Sequence, residues 1–162
     1  PFATILACSD SRVPPELVFD QGVGDLFIIR NAGEVVDAVT LGSSEYAFSN
    51  LGAKLIVVLG HESCGAVSAT YDALKTGRTL APHLDAIYDA SRAGIAPVVA
   101  AGGSKNEASV ANAKAQAKRL AGSSIPLKRG LASGQLQIVH AYYHLSSGKV
   151  EIFDVTAHRD RS

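Results

Sequence analysis

The sequence predicts an α/β domain with a mainly parallel sheet of about four strands, flanked by helices and closed by an antiparallel C-terminal edge strand. Three observations lead there. Short apolar runs at Thr4-Ile5-Leu6-Ala7, Leu26-Phe27-Ile28-Ile29 and Leu55 to Leu59 are separated by segments with helical character. Each run is followed by a turn rich in polar or small residues, as expected where a strand feeds a crossover. Near the end, Ser146-Ser147-Gly148 is a tight turn between two further strand-like runs, which predicts a hairpin.

Taken in order, Phe2 to Ala7 is a buried strand, and Pro14-Pro15 opens a short helix because proline suits a first turn. Gly22-Val23-Gly24-Asp25 turns into a second strand, Leu26 to Arg30. A helix is predicted from Asp37 to Asn50, closed by Leu51-Gly52, then a third strand from Leu55 to Leu59. Gly65-Ala66 starts a helix towards Lys75, and Gly77 to Pro82 is a loop. Helices are predicted over His83 to Ala93, Glu107 to Leu120 and Ile125 to Ala132, the first two separated by a Gly/Pro/Ala-rich stretch ending in Gly102-Gly103-Ser104. Leu136 to Leu145 is the fourth strand, and Lys149 to Val155 its antiparallel partner.

The 162 residues suffice for a single domain, 1–162, with a substantial core. Fifteen acids balance fifteen bases, so no net charge draws the chain to nucleic acid or to an anionic membrane. No apolar run approaches the roughly 20 residues of a membrane span. The chain opens at Pro1 and runs directly into a strand, which predicts that further sequence precedes it. That leaves the compartment open between cytoplasm and periplasm.

Chemistry concentrates in two segments, Cys8-Ser9-Asp10-Ser11-Arg12 and His61-Glu62-Ser63-Cys64-Gly65, each beyond the end of a predicted strand. Ligands of parallel α/β sheets bind at such carboxyl ends. The only two cysteines fall here. They can form one disulfide, or, with His61 between them in sequence, a three-ligand zinc site that leaves a fourth position for water. Zinc lowers the pKa of a bound water from about 15.7 to about 7. Asp10 and Arg12 form either a solvated ion pair or, beside a metal, an oriented carboxylate kept ionised by its counterion; Asp10 can also ligate the metal itself. Other templates fit poorly. Cys8 to Arg12 is too short for a phosphatase loop, Gly60 lies one residue too far from a nucleophile elbow, and Gly22-x-Gly24 precedes a strand where a dinucleotide fingerprint follows one.

These segments resemble those of the β-class carbonic anhydrases. The resemblance rests on Cys8-Ser9-Asp10-Ser11-Arg12-Val13-Pro14, Gly24-Asp25-Leu26-Phe27-Ile28-Ile29-Arg30-Asn31-Ala32-Gly33, Glu45-Tyr46-Ala47 and Gly60-His61-Glu62-Ser63-Cys64-Gly65-Ala66-Val67, with Tyr142-Tyr143 and Ser147-Gly148-Lys149-Val150 in the closing hairpin. It implies zinc-dependent hydration of carbon dioxide to bicarbonate and a proton, with one Zn2+ per chain held by Cys8, His61 and Cys64. Asp10 and Arg12 are then the catalytic dyad. Phe27, Ala32 and Tyr46 are expected to line the substrate pocket or the adjoining subunit contact, with a backbone N–H at Gly65 facing the substrate. A homodimer or tetramer is implied, and the helical segment that precedes the first strand in such proteins is expected to be missing here, since Pro1 already stands at the strand. Two alternatives share the site: hydrolysis of carbonyl sulfide or carbon disulfide, and a zinc-holding paralogue without turnover. Some relatives bind bicarbonate at a second site of tryptophan, arginine and tyrosine. Arg30 and Tyr143 match two of these, but Ile5 stands where the tryptophan belongs, so Asp10 is expected to stay paired with Arg12.

Overall fold

The computed structural model describes residues 1–154. Five strands form one sheet: β1 (Ala3–Cys8), β2 (Leu26–Asn31), β3 (Leu55–His61), β4 (Gln137–His144) and β5 (Lys149–Asp154). Their order is β2-β1-β3-β4-β5. The first four are mutually parallel, and β5 returns antiparallel on β4. The expected continuation of β5 to Val155, and of the domain to Ser162, lies outside the described residues.

The chain steps from β1 to β2 on one side, then crosses back to place β3 on the other side of β1. Adjacent crossovers therefore diverge between β1 and β3, which opens a crevice at the carboxyl ends of those two strands. Cys8 ends β1 and His61 ends β3. Both strands are buried almost throughout, which explains their continuous rather than alternating apolar runs.

The helices are α1 (Pro15–Val18), α2 (Ala38–Leu51), α3 (Gly65–Thr76), α4 (Asp85–Ala100), α5 (Lys105–Ser123) and α6 (Ile125–Ala132). Local chemistry sets their ends. Asp37 caps α2 by accepting from the Thr40 N–H at 2.7 Å, and Gly52 closes it in the left-handed region at φ 76°. Ser104 and Glu107 form a reciprocal capping box at the start of α5. On one sheet face Leu6, Ile56, Val58 and Ile138 pack against Ala113, Ala117 and Leu120 of α5 and Leu127 of α6. On the other, Ile5, Ala7, Val57 and Leu59 meet Val13, Val18 and Phe19 around the short α1.

The stretch predicted to separate the two central helices differs from expectation. α4 begins at Asp85, because His83 adopts φ 72°, and it then runs through Gly94 and Pro97 to Ala100. Gly94 is there for contact, not for flexibility: a Cβ at this position would lie 2.6 Å from Ala115 Cβ on α5. The glycine lets the two helices approach closely. β1 and β3 also reach one and two residues further than predicted, to Cys8 and His61 themselves.

Candidate metal centre

Cys8, His61 and Cys64 are brought together at the switch point, with their donor atoms all within 4.8 Å of one another. All three residues are buried. β1 delivers Cys8 and β3 delivers His61, whereas Cys64 is the N-cap of α3. A thiolate at a helix N-terminus is favoured by the local positive potential.

The donor chemistry fits zinc. His61 Nδ1 lies 2.9 Å from the Glu62 carbonyl oxygen, which can only accept, so Nδ1 carries the proton and Nε2 offers its lone pair. Nε2 is buried and has no hydrogen-bond partner, the state expected of a ligand nitrogen. The two sulfurs are 3.9 Å apart. Two zinc–sulfur bonds of about 2.3 Å at a tetrahedral angle span about 3.8 Å. Both cysteines are free thiols, so the disulfide alternative does not hold.

The Cys64 thiol donates to Cys8, which pushes Cys8 well down towards thiolate and Cys64 up; burial raises both, and the Gly33 N–H at 3.4 Å favours the Cys8 anion. Burial opposes a charged His61, but the Cys8 anion, with Glu34 and the Glu62 carbonyl, outweighs it and raises that group. A divalent cation replaces the shared proton with positive charge.

Asp10 and Arg12 form a fork: Nε donates to Oδ1 at 2.9 Å and Nη2 to Oδ2 at 2.7 Å, and the Arg12 backbone N–H adds a third bond to Oδ1. This holds the Asp10 carboxyl well below the usual carboxylate range. Arg12 Nη2 also donates to the Ser63 carbonyl at 3.3 Å, joining the two ligand loops. Arg30 donates from Nε to the Cys8 carbonyl and from Nη2 to the Asp10 carbonyl, at 2.9 and 2.6 Å. Its guanidinium thus braces the turn that carries the dyad. Ile5 is a buried core residue.

An open groove of about 270 Å³ beside the ligands is lined by Ala32, Gly65, Ala66 and Thr70, with Leu84 and Ile87 opposite. Two of the expected pocket residues, Ala32 and Gly65, line it. Phe27 and Tyr46 do not. Their rings pack on each other, centroids 6.4 Å apart, where Tyr46 is half exposed between β2 and α2.

The chain as a whole has counterparts among known proteins. The carbonic anhydrase family model matches residues 3–150. The chain belongs to the β-class carbonic anhydrase family. Carbonic anhydrase from Mycolicibacterium smegmatis is 42% identical over 153 residues, covering 94% of this chain and 74% of that protein. Carbonic anhydrase 2 of Mycobacterium tuberculosis is 37% identical over 159 residues, covering 95% and 75%. The β-carbonic anhydrase CafA of Aspergillus fumigatus superposes with a TM-score of 0.81 at 25% identity, over 97% of this chain and 77% of that one.

Several residues at the centre had no role assigned from sequence. Glu62 Oε2 accepts from the Ser146 N–H at 2.8 Å, tying the ligand loop to the β4–β5 turn. Glu34 is fully buried next to Gly33. Burial and the Cys8 charge push it up to about 8, against a hydrogen bond from Asn112. The available signal was a set of polar residues at three- and four-residue spacing along an alanine-rich helix, α5.

Proposed function

We propose that Cys8, His61 and Cys64 hold the catalytic zinc of this carbonic anhydrase, and that Asp10 and Arg12 orient its nucleophile for the reversible hydration of carbon dioxide. The observation carrying this reading is the cluster of three buried donors at the β1–β3 switch point, in a member of this family. Zinc bound there supplies a water whose pKa falls from about 15.7 to about 7, a nucleophile at neutral pH.

The chain's own residues do the rest. The two thiolates balance the charge of the cation, and the Glu62 carbonyl fixes the imidazole tautomer. An ionised Asp10 is an acceptor only, so it admits a nucleophile that presents an O–H and turns its lone pair towards the groove. Arg12 keeps Asp10 ionised and faces solvent on its other side, with half its side chain exposed. The groove suits a small apolar substrate, because Ala32, Ala66, Leu84 and Ile87 offer carbon dioxide no competing hydrogen bond. Gly65, the first residue of α3, has an N–H able to stabilise charge developing on a substrate oxygen. Carbon gains one C–O bond as the π bond of one C=O opens and its electron pair moves onto that oxygen, and the proton lost from water passes to solvent or buffer. The working form is a homodimer or tetramer.

The dyad is tested by substitution. Asp10→Asn is expected to retain zinc while losing about a hundredfold in turnover, with Arg12→Ala behaving similarly. Wild-type hydration rates in both variants would reduce the dyad to a structural ion pair.

A further inference from the structure

Helix α5 carries Asn106, Ser109, Asn112 and Gln116, spaced three or four residues apart and therefore in one stripe. Ser109, Asn112 and Gln116 are buried to 1% exposure or less. Burying neutral polar groups is unfavourable unless each finds a hydrogen bond. Each does: Ser109 bonds the segment between the candidate ligands His61 and Cys64, and Asn112 and Gln116 bond the segment after β2 that packs beside Cys8.

Asn106 Oδ1 accepts from the Ser63 N–H at 3.1 Å. Ser63 lies between His61 and Cys64 and adopts φ 55°, a left-handed conformation that a side-chain-bearing residue keeps only when something holds it. Ser109 Oγ donates to the carbonyl of His61 itself at 2.9 Å. Asn112 Nδ2 donates to the Gly33 carbonyl at 2.8 Å and to Glu34 Oε1 at 2.9 Å. The Gly33 N–H in turn donates to Cys8 Sγ. Gln116 completes the row: Oε1 accepts from the Val36 N–H, and Nε2 donates to Asn112 Oδ1 and the Ala90 carbonyl. The small residues between them let the helix come this close, since a Cβ on Gly60 would lie 3.1 Å from Ala113 Cβ.

We propose that the polar stripe of α5 is the positioning device of the metal centre, setting the His61–Cys64 turn directly and the Cys8 sulfur through the Gly33 amide, from one rigid helix. Asn106 and Ser109 fix the His61–Cys64 turn, and Asn112, through Gly33 and Glu34, holds the amide that faces the Cys8 sulfur. The inference rests on Cys8, His61 and Cys64 being the zinc ligands. Its consequence is kinetic retention of zinc: a ligand arm released from the stripe swings away more often, and the metal escapes faster.

The test is the rate at which zinc-loaded protein gives up its metal to excess chelator. Asn106 is exposed, so its variants are expected to fold. Asn106→Ala should release zinc about tenfold faster or more. Asn106→Asp presents the same acceptor oxygen to the Ser63 N–H and should restore release to near the wild-type rate. Leu120→Ala, on the same helix but in the core, should lower thermal stability without this acceleration. In cobalt-loaded protein, the thiolate-to-cobalt absorption band should shift in Asn112→Ala and stay in place in Leu120→Ala. Wild-type release from Asn106→Ala, equal release from Asn106→Ala and Asn106→Asp, or equal acceleration by Leu120→Ala would overturn the inference. Any of these in a wild type that holds zinc leaves the ligand assignment standing; a wild type that holds none overturns both.

Discussion

His140 shows how a single buried residue couples this fold to pH. Its ring stacks on Phe153, centroids 4.9 Å apart, and its buried Nδ1 has no partner. Burial, then the charges of Lys114 and Lys118 on α5, hold it below its usual 6.5. Between 6.5 and that lower value the unfolded chain binds a proton that the folded chain refuses. Stability is therefore full above that window and falls as pH falls through it. His140→Phe keeps a ring on Phe153 and removes the titration. Its denaturation midpoint should fall less than the wild type's between about pH 7.5 and about pH 5.5, and equal acid losses would contradict this. At the same scale, the Cys8–His61–Cys64 cluster and the Asp10–Arg12 ion pair were legible in sequence because few residue types can ligate a metal or form such a fork. Glu34, Asn112 and Ser109 were not. Their residue types are common, and only the fold reveals that Ser109 bonds the His61 carbonyl and that Asn112 joins Glu34 to the Gly33 carbonyl.

At the scale of elements, the strands and α2 read well because their signals are local: continuous apolar runs, the Asp37 cap and the Gly52 stop. The α4 segment read poorly because Gly94 and Pro97 look the same in sequence whether they break a helix or fit one against a neighbour. Tertiary packing decided. Besides the Ala115 contact, a Cβ at Gly94 would lie 3.3 Å from the Ala111 carbonyl oxygen. Gly94→Ala is predicted to lower stability by about 1–3 kcal/mol, as the overpacked helices part, although alanine is the better helix former by about 1 kcal/mol. Chemical denaturation checks the sign. A rise in midpoint would show that α4 and α5 separate easily, and it would weaken the view of α5 as a rigid support.

For the whole molecule, the apolar run in β2 predicts more burial than one chain provides. Leu26 to Ile29 are only partly buried at the sheet edge, and Val39 and Tyr46 on the neighbouring α2 are exposed. An unpaired edge strand with apolar neighbours favours association. Light scattering at assay concentration is expected to give the mass of a dimer or tetramer, and a fully active monomer would contradict that expectation. The switch-point crevice is the larger lesson of the topology. Order β2-β1-β3 brings Cys8 within reach of His61 and Cys64, more than fifty positions away in sequence, and periodicity alone does not specify that order. The most direct test of the account is stopped-flow hydration of carbon dioxide, with zinc measured on the same samples of wild-type protein and Cys64→Ser. The account predicts about one zinc per chain and rapid hydration in the wild type, with metal and activity lost together in Cys64→Ser. Full zinc occupancy or undiminished hydration in Cys64→Ser would contradict it.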